Sequence, residues 1–162
     1  MKYSMSIVGV IAAAGLLAAA CGGGSSDKTS TPGASSSSDK TATEVAVTEK
    51  EWSVVPASAS VPAGEVHFTV KNTGATAHEF VVIKATDDPA KLPTYQASDK
   101  VAEGHAVGDV NEDKVDSVGE LEDLAAGSSK DGTFKLSAGK YVLICNLPAH
   151  YGQGMRAAFT VN

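Results

Sequence analysis

The chain has 162 residues, a formal net charge of −6 and a sequence pI near 5.1. So acidic a chain lacks the positive face that nucleic acid requires, and no nucleic-acid partner is expected. With 43% hydrophobic residues and two cysteines, it holds apolar material for one core without a disulfide framework.

The first element in chain order is a leader. Lys2 precedes an apolar run from Ile7 to Ala20, and Cys21 follows. That is the layout of a bacterial secretory signal peptide over residues 1–20. The run falls short of the roughly 18–20 residues that span a bilayer. The stretch Ala18-Ala19-Ala20-Cys21 resembles the lipobox of bacterial lipoproteins, in which small residues precede a cysteine that receives lipid. It departs from that pattern at Ala18, where Leu is usual; Leu17 stands one place too early. The resemblance implies cleavage after Ala20, lipid on Cys21, and a protein anchored to the cell membrane on its extracytoplasmic side, in a periplasm or at the cell surface.

Residues 21–43 follow as a tether. Gly22 to Thr43 is built of Gly, Ser, Thr, Ala, Pro, Asp and Lys, with no large apolar side chain. Such a stretch buries too little surface to offset its ordering entropy, so it is expected to be a flexible linker. The folded domain is expected over residues 44–162.

Strand patterns dominate that domain. Val66, Phe68 and Val70 alternate with His67 and Thr69, a half-buried strand. Asn72-Thr73-Gly74 supplies a turn. Phe80-Val81-Val82-Ile83 reads as a short buried strand, Thr133 to Leu136 alternates again, and Ala138-Gly139 turns the chain into Tyr141 to Cys145. Ala158 to Val161 is the last predicted strand. Residues 85–114 are polar and punctuated by Pro89, Pro93, Gly104 and Gly108, so they read as a long loop with a helical turn near Pro89 to Leu92. The acidic charge gathers around its second half: residues 99–123 hold nine acids and two bases, a net of −7. An acidic loop insertion near 85–123 is therefore expected, either a solvated face or a docking face for a basic partner. Several short strands with regular turns and no long amphipathic helix give an all-β fold, a Greek-key β-sandwich.

The chemistry lies in Tyr141 to Met155, YVLICNLPAHYGQGM. With Cys21 lipidated, Cys145 is a lone thiol outside the cytoplasm. Cys145, His150 and Met155 fall within eleven residues, and His78 lies just before the Phe80 strand. One thiolate, two imidazoles and a thioether form a soft ligand set. Two His and one Cys in a plane with a distant Met is the arrangement that suits copper; thioether is a poor zinc ligand. His67 and His105 read as surface residues. Glu79 and Asn146, beside His78 and Cys145, are the candidates to support the ligands, and whether Glu79 faces the metal stays open.

On the residues NTGATAHEF and CNLPAHYGQGM, the domain resembles a small cupredoxin. Its C-x4-H-x4-M spacing is similar to that of rusticyanin and auracyanin. The resemblance implies one mononuclear type 1 copper held by His78, Cys145, His150 and Met155. It implies no enzymatic activity, but the carriage of single electrons between redox partner proteins by a monomer. A copper storage or delivery protein with the same ligands is the alternative, though Met155 is the domain's only methionine. A multicopper oxidase would place a histidine next to the copper cysteine, and here Ile144 and Asn146 flank it. A cysteine hydrolase lacks a helix start to activate the thiol.

Overall fold

The computed structural model describes residues 41–85 and 88–162; the expected signal peptide, Cys21 and most of the linker lie outside them. Nine strands form two sheets among the described residues. In chain order they are β1 Thr43–Lys50, β2 Ser53–Pro56, β3 Ser60–Val61, β4 Gly64–Asn72, β5 His78–Lys84, β6 Asp116–Leu124, β7 Ser129–Leu136, β8 Gly139–Ile144 and β9 Arg156–Val161. A single turn of helix, α1, spans His150–Gln153. One sheet runs β2-β1-β4-β7 and the other β3-β9-β8-β5-β6. The pairs β1/β4 and β3/β9 are parallel, and the rest are antiparallel. The β-sandwich expected from the sequence is the observed fold.

The core follows from the alternation along the strands. Val45 and Val47 of β1 and Val66, Phe68 and Val70 of β4 point inward and meet Phe80, Val82, Leu143 and Phe159 of the facing sheet. Phe68 stands at the centre, with ring centroids 5.2 Å from Phe80 and 5.5 Å from Phe159. Burial of such side chains contributes about 1.5–3 kcal/mol each. Cys145 and Met155 belong to this same apolar cluster, so two of the expected ligands grow directly out of the core.

Strands β5 and β8 are apolar on both faces because both faces are covered. On the outer face Val81, Ile83, Val142 and Ile144 pack with Leu92, Val110 and Tyr151. The long loop after β5 lies over this face. It contains the expected helical turn, a 3-10 turn at Pro89–Lys91, and a second at Glu112–Lys114. Tyr151 pins the first turn: its hydroxyl donates to Pro89 O at 2.6 Å and accepts from Leu92 N at 3.2 Å.

Two expectations need correction. The acidic stretch is loop only as far as Val115. From Asp116 to Leu124 it is the edge strand β6, paired antiparallel with β5. Only Leu124 of that strand is buried, so its charges blunt an open sheet edge rather than line a loop. His105 is half-buried rather than a free surface residue, with its ring against Tyr95 at 5.8 Å. His67 is outward as expected, bonded through Nδ1 to Thr133 Oγ1 at 2.8 Å.

Candidate metal centre

Two loops at one pole of the sandwich deliver the donor atoms. The first is the predicted turn at Asn72. Its Oδ1 accepts from Gly74 N at 2.8 Å, closing a tight Asx turn. Its Nδ2 donates to Thr76 O at 2.7 Å and Leu124 O at 2.9 Å, which shapes the loop that leads into β5. His78 is the first residue of β5 and is fully buried.

The second loop carries Cys145, one residue past the end of β8. Cys145 N donates to Met155 O at 3.1 Å, so the cysteine and the methionine are fixed side by side in the backbone. Its Sγ accepts from Glu79 N at 3.4 Å. His150 opens α1 and is half-buried. Ala149 before it takes a left-handed conformation, φ 70°, and its N–H donates to Asp109 Oδ1 at 2.7 Å. Asp109 is itself fully buried on the long loop, so that loop braces the turn that aims His150.

The three side chains converge. His78 Nδ1 lies 3.3 Å from His150 Nδ1, Cys145 Sγ lies 3.2 Å from His150 Nδ1, and Sγ lies 3.9 Å from His78 Nδ1. A point equidistant from these three atoms is about 2.0 Å from each, within the range of metal–nitrogen and metal–sulfur bonds, about 2.0–2.3 Å. Met155 is fully buried in the core beside Cys145. This is the one group of three His, Cys, Asp or Glu side chains among the described residues with donor atoms close enough to hold a metal ion.

The electrostatics fit a cation. Burial pushes the Cys145 thiol up to about 12. Burial, with some contribution from the neighbouring His150, lowers His78, and burial lowers His150 as well. The protein by itself holds all three groups neutral. A bound cation reverses that order for the thiol, because metal coordination deprotonates it outright.

Two sequence candidates turn out to tie the loops together. Glu79 Oε1 accepts from Asn146 N at 2.9 Å, linking the residue after His78 to the residue after Cys145. Burial first, then nearby Glu112, Glu120 and Glu122, raise the Glu79 carboxyl to about 7 against the opposing bond from Asn146. Asn146 is fully buried and bonds to the long loop, accepting from Val110 N at 2.7 Å and donating to Val110 O at 3.0 Å and Glu112 Oε1 at 2.9 Å.

Sequence reasoning missed the β1–β2 hairpin turn, Glu51-Trp52, which touches both imidazoles. Trp52 packs edge-on against His150 with ring centroids 4.9 Å apart. Glu51 Oε1 lies 3.7 Å from His78 Nε2. The only signal in the sequence is that Trp52 is the chain's single tryptophan, set in a polar turn.

Comparison with known proteins agrees with this geometry. The family model for copper-binding proteins of the plastocyanin/azurin family matches residues 41–162. Among solved structures, auracyanin from the photosynthetic bacterium Roseiflexus castenholzii is 25% identical, with TM-score 0.52, covering 75% of this chain and 98% of that one. Auracyanin B is 26% identical, with TM-score 0.54, covering 75% of this chain and 89% of that one. An azurin from Methylomonas sp. strain J, 20% identical with TM-score 0.50 over 75% of this chain and 99% of that one, shares the fold. No curated protein sequence matches the chain. A match over this span, around three converging soft and imidazole donors, settles the family: the chain is a cupredoxin, a member of the plastocyanin/azurin family of copper-binding proteins, and binds one copper ion.

Proposed function

We propose that the protein is a lipid-anchored blue copper electron carrier that passes single electrons between redox partners outside the cytoplasm. The observation that carries the proposal is the triangle of His78 Nδ1, His150 Nδ1 and Cys145 Sγ on a rigid β-sandwich. Copper, when bound, gains and loses one electron. His78, Cys145 and His150 are its holders in this reading, and Met155 is a weaker fourth donor that tunes rather than holds. The residues that aim the donors come from four separate segments, which limits how far they can relax when the charge changes. That rigidity favours an ion that stays and cycles over one that is delivered, and the protein is not an enzyme in this reading.

His150 is the ligand that reaches the surface, while His78 is fully buried. Exposed Ala75, Thr76, Ala77, Pro148 and Ala149, half-buried Leu147 and the exposed indole of Trp52 surround it as a small apolar contact area. Tyr151, next to His150 in sequence, is not part of this area and turns inward to the long loop. The charged edge of β6 is a second surface, suited to steering a basic partner. The anchor is carried by the lipobox-like stretch ending at Cys21 and by the tether that follows it.

The test is voltammetry of the copper-loaded protein combined with a chelator challenge. A carrier gives a reversible one-electron wave and keeps its copper in both states. Rapid loss of Cu(I) to the chelator would favour storage or delivery. Membrane fractionation of Cys21→Ser tests the anchor separately: release, or an unprocessed leader, is expected, and unchanged membrane association counts against lipidation.

A further inference from the structure

Glu51 has a side chain held in a fitted place. Its Oε1 accepts hydrogen bonds from Ala75 N at 2.8 Å, Thr76 N at 2.7 Å and the Thr76 hydroxyl at 2.7 Å. Its Oε2 lies so close to Gly74 that a Cβ at that position would stand 2.5 Å away. Residues 74–76 thus form a seat that accepts a carboxylate and excludes a side chain at Gly74. From this seat Oε1 faces His78 Nε2 at 3.7 Å. That nitrogen is buried and has no hydrogen-bond partner of its own. The other nitrogen of the same ring, Nδ1, is the one in the metal triangle.

We propose that Glu51 is a positioning residue of the copper centre: seated behind His78, its carboxylate holds the Nε2–H tautomer, leaves Nδ1 for the metal and favours the higher charge state of the ion. Which imidazole nitrogen binds a metal is set by what the other nitrogen faces. A fixed negative charge on the far side of a ligand ring makes that ligand more basic and attracts Cu(II) more than Cu(I). Removing the charge therefore weakens Cu(II) binding more than Cu(I) binding and raises the potential. The inference rests on the copper assignment of the triangle.

The experiment compares the full chain with Glu51→Gln and Gly74→Ala. Glu51→Gln keeps an oxygen to accept from the Thr76 and Ala75 amides but removes the charge. Gly74→Ala keeps the charge and displaces the carboxylate. Three quantities are read: Cu(I) and Cu(II) affinities by competition, the reduction potential, and the His78 ring nitrogens by NMR in the Cu(I) form. Glu51→Gln is expected to lower Cu(II) affinity about tenfold or more. A tenfold change in the Cu(II)/Cu(I) affinity ratio raises a one-electron potential by about 59 mV. The Nε2–H proton should exchange faster than in the wild type, and Gly74→Ala should move the potential in the same direction by less. Wild-type affinity ratio, potential and proton exchange in Glu51→Gln would overturn the proposal, even with lowered folding stability, and would leave Glu51 as a brace for its loop. Absence of a thiolate-to-copper band in the wild type would instead overturn the copper assignment beneath it.

Discussion

Asn146→Ala removes one side chain that joins the ligand loop to the long loop. Its three bonds go to Val110 N, Val110 O and Glu112 Oε1, and both Asn146 and Val110 are fully buried. The variant leaves the Val110 N–H and C=O without partners in a place water does not reach. At about 1–3 kcal/mol for each orphaned buried group, the expected loss is roughly 2–6 kcal/mol. That is a large part of the ~5–15 kcal/mol that holds a domain of this size. The midpoint of thermal unfolding should fall by ~10 °C or more. The assay is denaturant unfolding of the metal-free protein, where the midpoint should move and the slope should not. Asn146→Asp should be worse than Ala near neutral pH, because it turns a donor into a second charge facing Glu112. A loss under about 0.5 kcal/mol for Asn146→Ala would refute the reasoning, since the Val110 groups would then have found other partners.

Glu49 points into the core from β1, fully buried, with neither carboxylate oxygen hydrogen-bonded, and burial, aided by Glu79, raises it to about 9. The folded state keeps a proton that the unfolded chain releases near 4.5. Between about 5 and about 7 the lowered His78 and His150 act in the opposite direction, so the metal-free protein should show this loss of stability as pH rises from about 7 to about 9. Glu49→Gln should flatten that slope above pH 7, read from denaturant midpoints across the range; a wild type that gains stability over it contradicts the assignment. Met155→Leu should keep copper and raise the potential, while Met155→Gln should lower it through a harder oxygen donor; equal potentials in all three forms remove Met155 from the site. Trp52→Ala should keep the visible band yet slow electron transfer at every salt concentration. Reversing Glu120, Glu122 and Asp123 to Lys should slow it only at low salt, and stopped-flow oxidation by a partner across a salt series separates the two.

The triangle of His78, Cys145 and His150 was legible because its chemistry is local. Cys145, His150 and Met155 share one loop, and Asn72-Thr73-Gly74 announces the turn that precedes His78. The strands β4, β5, β8 and β9 were legible from alternation or from continuous apolar runs. Strand β1 was hidden because its third inward position after Val45 and Val47 is a glutamate, which breaks the apolar pattern. Strand β6 was hidden because an edge strand with one buried residue reads as an acidic loop. Glu51 and Trp52 were invisible for a different reason. They are the two residues of the β1–β2 turn, and only the packing of that hairpin beside the ligand loops brings them to His78 and His150. The same holds for Asp109, whose contact with Ala149 spans forty positions of sequence.

The most direct test of the copper centre is the visible spectrum of the purified protein after addition of one equivalent of Cu(II), beside that of Cys145→Ser. A strong thiolate-to-copper band in the wild type, bleached on reduction and missing in the serine variant, is the predicted result, since an alcohol is a far poorer donor than a thiolate. A wild type without the band, or a serine variant that retains it, would contradict the assignment of His78, Cys145 and His150 as the copper site.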